Sequence, residues 1–144
     1  MTMFYAGIGA RSTPPDVLAQ MKRIASRMER VGWILRSGGA QGADSAFASG
    51  TNCKHIYKAC HASKASIELA SKFHPAWHRC NDFVRKLHGR NMIILLGPAL
   101  NQPVEHVYCW TPGGDVAGGT GQALRAAAEF GIPVYNLANY GESS

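Results

Sequence analysis

Trp33-Ile34-Leu35-Arg36-Ser37-Gly38-Gly39-Ala40-Gln41-Gly42-Ala43-Asp44 reads as a short buried strand, a glycine turn and the opening turn of a helix. Gly38 and Gly39 let the backbone turn sharply with no Cβ in the way. The small residues that follow let a helix pack close to a sheet. A helix opening above a strand end aims unpaired N–H groups at whatever sits there, and such an end favours phosphate. The same grammar appears twice more, in Phe4-Tyr5-Ala6-Gly7-Ile8-Gly9-Ala10-Arg11 and in Val107 to Gly121, which carries Gly113-Gly114 and Gly118-Gly119. One glycine pair marks only a turn. Three strand-to-glycine corners in one small domain point to one phosphate-bearing ligand at the carboxyl edge of a parallel sheet.

The chain of 144 residues is long enough for one domain with a real core and leaves little room for two, so residues 1–144 are expected to form a single unit. Hydrophobic content of 46% is ordinary for a globular protein. The longest apolar run, Met92 to Leu96, is far shorter than a membrane span. The N-terminus shows no basic segment followed by an apolar one, so the expected compartment is the cytoplasm. A formal charge of +6 suits an anionic partner such as a nucleotide or nucleic acid. Lys22, Arg23, Arg27 and Arg30 have helical spacing and read as a solvated face. Arg79, Arg85, Lys86 and Arg90, with Trp77 nearby, form a second basic group that can serve phosphate contact and base stacking, or equally a charged outer face over a core tryptophan.

Cys53, Cys60, Cys80 and Cys109 form no C-x-x-C pair. Cys53, His55, Cys60 and His61 lie close in sequence, but their spacing matches no common zinc pattern. His74 and His78 are four apart, with Pro75 between them to spoil a helical pair. No metal and no cofactor are expected.

Taken in order, the pattern predicts a strand over 3–9, then a helix with Thr13 as N-cap, Pro14 at its first position and Asp16 as the capping acid. Leu18, Met21, Ala25 and Met28 form its apolar stripe. Strands follow at 33–37 and 55–59, with a helix over 41–49 between them. Helices are predicted over 65–73 and 76–96, a strand over 104–110, and a glycine loop over 111–119. Thr120 caps the next helix, which ends at Gly131-Ile132-Pro133, before a strand over 134–137 and a polar, loose tail from Tyr140 to Ser144. Alternating strands and helices imply an α/β Rossmann-like three-layer sandwich with a mostly parallel sheet of about five strands. Right-handed crossovers give the order 3-2-1-4-5, with the ligand between the first and fourth strands.

Gly7-Ile8-Gly9-Ala10-Arg11, Ser37 to Asp44, and Gly118-Gly119-Thr120 with Gly131-Ile132-Pro133-Val134 resemble the SLOG superfamily of Rossmann-like domains. That superfamily includes the DprA/Smf proteins and the LOG phosphoribohydrolases, and the likeness runs through nearly the whole chain. It is greatest to short stand-alone SLOG proteins of bacteriophages and prophages, through His74 to Trp77, Lys86 to Asn91 and Cys109 to Pro112. The resemblance implies binding of a nucleotide-derived small molecule, an ADP-ribose-like or cyclic-nucleotide signal. For a phage protein it implies sequestration of a host immune signal in the host cytoplasm. Superfamily members often pair, so it also implies a homodimer or larger assembly, with Trp33, Trp77 and Phe83 as core or interface residues.

Two alternatives stay open. Leu87-His88-Gly89-Arg90-Asn91 is similar to the LOG Met-His-x-Arg-Lys helix, which makes Arg90 the functional arginine of a phosphoribohydrolase reading. The LOG glycine loop carries acids where Gln122 and Ala123 stand here. Glutamine cannot stabilise positive charge or activate water as a carboxylate does, so the balance leans away from an enzyme. An enzyme would have to use Asp44 or Asp115 with Arg90. The other alternative is a DprA-like module for single-stranded DNA. On the leading reading, Gly7, Gly9, Gly38, Gly39, Gly118 and Gly119 admit phosphate to the backbone. Ser37 and Thr120 donate hydrogen bonds, Arg11 and Arg90 pair with phosphate, and Asp44 receives a ribose hydroxyl. Ala10, Gly42, Asn91, Thr111, Pro112 and Gln122 complete the expected site.

Overall fold

Five short strands alternate with helices, and in the computed structural model, which describes residues 2–116 and 118–139, they form one wholly parallel sheet. The order along the chain is β1 (Met3–Gly7), α1 (Pro15–Arg30), β2 (Trp33–Ser37), α2 (Ala43–Ser49), β3 (Lys54–Ile56), α3 (Lys64–Ser71), α4 (Asp82–Leu96), β4 (Val107–Cys109), α5 (Gly118–Glu129) and β5 (Val134–Asn136). Across the sheet the order is β3-β2-β1-β4-β5, as predicted. Tyr5 pairs with Leu35, Gly7 with Tyr108, Arg36 with His55, and Cys109 with Asn136. Ala117, inside the last glycine loop, and the tail from Tyr140 to Ser144 lie outside the described residues.

Alternate residues of each strand feed opposite layers. Tyr5 and Leu35 meet Val17, Met21 and Ala25 of α1 and Ala43 and Phe47 of α2. Phe4, Ala6, Val107 and Cys109 meet Met92, Ile94 and Leu95 of α4 and Ala123, Leu124 and Ala127 of α5. α3 lies against α4 at Gly89, where a Cβ would come within 2.7 Å of Ile67 Cγ1. Arg36 is buried within the sheet, its guanidinium 3.9 Å from the Phe4 ring centroid and its Nη1 donating to the Gln102 carbonyl at 2.7 Å. Trp33 and Trp77 are half-buried against the two cores, while Phe83 is 61% exposed.

Several predicted boundaries move. The first helix starts at Pro15 with Pro14 as N-cap, and Thr13 instead donates its hydroxyl to the Ala10 carbonyl. The 76–96 segment is not one helix. A single 3-10 turn, Trp77–Arg79, ends at Cys80, whose backbone is extended, and Asn81 then caps α4 by accepting from the Val84 N–H at 2.9 Å. α2 begins two residues later than predicted because Gly42, with φ +87°, ends the turn. Thr120 lies inside the first turn of α5 rather than ahead of it. β1, β3, β4 and β5 are each shorter than predicted. Among the described residues no helix is long and apolar enough to cross a membrane.

Candidate ligand-binding site

The carboxyl ends of β1, β2 and β4 open into a cavity of about 900 Å³. β1 supplies Gly9, Ala10 and Arg11, and β2 supplies Ala40 and Asp44 through the turn into α2. β4 supplies Thr111, Pro112 and Asp115, and the start of α5 supplies Gly118, Gly119 and Thr120. α4 closes the side with Val84, Leu87, His88, Arg90 and Asn91, and His74 and Pro75 complete that wall. The strand order reverses between β1 and β4, which is where a doubly wound sheet leaves a crevice.

Asp44 and Arg90 bring opposite charges to the lining. Both reach over Gly38: a Cβ there would lie 2.5 Å from Arg90 Nη1 and 2.6 Å from Asp44 Oδ2. Gly38 is a glycine because these two side chains occupy the space above it. Arg90 donates from Nη1 to the Tyr57 carbonyl at 3.0 Å and from Nε to Asn91 Oδ1 at 3.1 Å. Asp44 accepts from the Ala40 N–H at 3.4 Å. Burial pushes the Asp44 carboxyl up from 3.8 to about 6, against the opposing pull of Arg90 and the Ala40 N–H. Burial also lowers Arg90 from its ordinary value, countered by Asp44, and the guanidinium stays charged.

Behind the cavity, one hydrogen-bonded chain settles the orientation of several groups. Arg90 Nε can only donate, so Asn91 Oδ1 faces it and Asn91 Nδ2 turns to Gln122 Oε1 at 3.3 Å. Gln122 Oε1 also faces His88 Nδ1 at 3.3 Å. His88 therefore carries its proton on Nδ1 and presents a lone pair on Nε2. Burial, then His74, lowers the His88 pKa, so the ring is neutral. Gln122 is fully buried, and its Nε2 has no partner.

The structure gathers Gly9, Ala10, Arg11, Asp44, Arg90, Asn91, Thr111, Pro112, Gly118, Gly119 and Thr120 around one cavity, with Asp115 at its edge. It leaves other expected residues out of the lining. Gln122 stands behind the wall. The Ser37 hydroxyl is buried and donates to the Gly7 carbonyl at 2.6 Å, tying two strand ends together. A Cβ on Gly7 would strike the Phe47 ring, and one on Gly9 would lie 2.6 Å from Ala43 Cβ. Gly39 faces Lys58, and Gly42 packs on Ala10 and Arg11. Of the six glycines expected to admit phosphate, only Gly118 and Gly119 have open space above them.

The apolar wall of Pro75, Val84, Leu87, Ile94 and Ala123 was not legible as a site, because each residue fits an ordinary helix or turn pattern. The second basic group does not share one free face either. Arg90 turns into the cavity, and the Arg85 guanidinium lies 5.3 Å from the Trp77 ring centroid while Nη2 donates to the Trp77 carbonyl at 3.0 Å. One grouping of donor atoms was not visible in the sequence spacing. Among the described residues, His74, Cys80 and His88 bring donor atoms within 4.8 Å of one another.

Fold and site together define a Rossmann-like α/β domain with a cavity at the carboxyl edge of its sheet. No family model, no curated protein and no solved structure matches the chain.

Proposed function

We propose that the cavity binds a nucleotide-derived small molecule, of the ADP-ribose or cyclic-nucleotide type, and holds it intact. The observation that carries this reading is the mixed lining of the cavity, with charged, polar and apolar groups side by side. The charged and polar part of the lining is Arg90, Asp44 and the opening turn of the twelve-residue α5. A guanidinium fork and unpaired helix N–H groups suit phosphate, and a carboxylate suits a ribose hydroxyl. The apolar part is Pro75, Val84, Leu87 and Ile94, surfaces that accept the flat, weakly polar face of a base. A volume of about 900 Å³ leaves room for more than a mononucleotide.

Holding is favoured over cleaving because the LOG-type acid has no equivalent. Gln122 is uncharged and lies behind the wall, and the acids on the cavity are Asp44 and Asp115. The resemblance to phage SLOG proteins suggests a use for such binding, the sequestration of a host's nucleotide signal in the host cytoplasm.

The test is to incubate the purified protein with AMP, ADP-ribose, NAD and cyclic nucleotides, remove free ligand, denature the protein, and identify the released compound by chromatography and mass spectrometry. Intact ligand in stoichiometric amount is expected. Release of base and ribose phosphate would replace the reading with hydrolysis by Asp44 or Asp115, and retention of none of the panel would end it.

A further inference from the structure

We infer that His74, Cys80 and His88 form a site for a borderline-soft divalent metal ion of the zinc class, with one coordination position left open beside the cavity. The three donor atoms lie within 4.8 Å of one another. His74 Nε2 and Cys80 Sγ are 3.6 Å apart. Zinc bonds of about 2.0–2.1 Å to nitrogen and 2.3 Å to sulfur, set tetrahedrally, place N and S about 3.6 Å apart. One pair of ligands therefore already stands at its coordinated separation. His88 needs a shift on the order of 1 Å to close the set.

His88 is prepared for this role. Its Nδ1–H is held by Gln122 Oε1, whose orientation is set through Asn91 by Arg90. The free lone pair is on Nε2. A buried partner that fixes the distal N–H of an imidazole is the usual support of a metal-bound histidine. Gln122 thus gains a role that its absence from the cavity lining leaves unexplained.

His74 carries the opposing term. Its Nδ1 accepts the Ala76 N–H at 3.0 Å, so the metal-free ring holds its proton on Nε2. Coordination through Nε2 moves that proton to Nδ1 and breaks the Ala76 bond. One neutral backbone hydrogen bond is a small contribution beside a zinc–thiolate–imidazole set. Ala76 lies in the short segment between α3 and α4. Cys80 gives up weak contacts, 3.8 Å to the Ala76 carbonyl and 3.6 Å to the His74 Nε2–H, and loses its proton on binding. Arg90 and Arg125 add positive potential at His88, and the Cys80 thiolate offsets it.

Three protein donors with a vacant fourth position is the arrangement of zinc sites that bind an exogenous group. His74 and His88 both line the cavity, so a group bound in the cavity lies beside the ion. A water, a phosphate oxygen or a base nitrogen can fill the fourth position. The inference does not depend on the nucleotide reading, since the metal is detected without a ligand.

The test uses the full chain, stripped with chelator and titrated with Co²⁺ as a spectroscopic probe, then with Zn²⁺ and metal analysis. One equivalent of metal is expected, with a thiolate-to-cobalt charge-transfer band and tetrahedral visible bands, all displaced by Zn²⁺. Cys80→Ser should abolish the charge-transfer band. Cys53→Ser and Cys60→Ser, at exposed positions, should leave it unchanged. Gln122→Ala should weaken retention by about 10–100-fold. If Cys80→Ser is insoluble, His74→Gln at its half-exposed position carries the test and should lower affinity at least as much as Gln122→Ala. Absence of a thiolate band in the wild type would overturn the inference, as would a band that survives Cys80→Ser or disappears with Cys53→Ser.

Discussion

Asp44→Asn should stabilise the protein at neutral pH while weakening its ligand. Asp44 is 6% exposed, and burial raises its carboxyl from 3.8 to about 6. The folded state therefore binds more protons than the unfolded state between those two values. Stability falls as pH rises wherever the folded state binds the extra proton. The loss accumulates from about pH 4 and is complete above about pH 7, where both states are ionised. A displacement from 3.8 to about 6 corresponds to about 3 kcal/mol, and about 2 kcal/mol of it develops between about pH 4.5 and 7.5. Asparagine has nearly the same shape, can still accept the Ala40 N–H, and does not ionise. Urea unfolding of both proteins across that pH range should show the variant gaining on the wild type by about 2 kcal/mol as pH rises. Other titrating groups cancel in the difference. A difference that stays constant, or that favours the variant most in acid, would refute the assignment of Asp44 as a carboxylate ionised against burial.

Three further outcomes follow from the geometry. Gly38→Ala should reduce ligand affinity more than stability, because the new methyl meets the movable ends of Arg90 and Asp44 rather than backbone; parallel calorimetry and thermal melts separate the two effects. Gly119→Ala meets nothing within 4 Å, so its melting should be unchanged within about 0.5 kcal/mol, and any loss of nucleotide binding then reports backbone approach by the ligand. Tyr5→Phe should stabilise the fold by about 1 kcal/mol in denaturant titration, since the buried Tyr5 hydroxyl has no partner to lose. A destabilised variant would show that the hydroxyl is satisfied after all.

The strand order and the placing of the site were legible because they rest on redundant signals. Three strand–glycine corners, apolar strands and amphipathic helices all specify the same parallel sheet, and parallel connections leave few topologies. The role of each glycine was not legible. A sequence shows that a Cβ is absent and not what fills its place. Gly7 makes way for Phe47, Gly9 for Ala43, and Gly38 for Arg90 with Asp44, while at the cavity Gly118 and Gly119 open outward. The break before α4 was hidden because Trp77, Phe83 and Val84 continue a helical pattern across Cys80. The signal was present in Asn81-Asp82, an N-cap followed by an acid. The cluster of His74, Cys80 and His88 escaped because that break brings together residues six and eight apart, a spacing with no repeat to notice.

The way Asp44 and Arg90 are held bears on whether the proposed site holds or cuts its ligand. Arg90 is hydrogen-bonded to Tyr57 and Asn91, and Asp44 to the Ala40 N–H, while each charge also favours the other. These ties to the scaffold hold both side chains in place before a ligand enters. Preorganisation of this kind lowers the cost of binding. Cleavage would ask for something else, a carboxylate or activated water set against the scissile bond and free to change its protonation during turnover. Asp44 has a suitable proton affinity, but its charge faces the arginine that would hold phosphate, and Gln122 offers no second acid. On the proposed reading the pair therefore acts as a clamp on a polar, charged ligand. Arg90→Lys separates the two roles: lysine keeps the charge but loses the fork to Tyr57 and Asn91. A clamp predicts a binding loss of about 1.5–3 kcal/mol with no turnover in either protein. Base release by the wild type that disappears in Arg90→Lys would instead make Arg90 part of a catalytic centre.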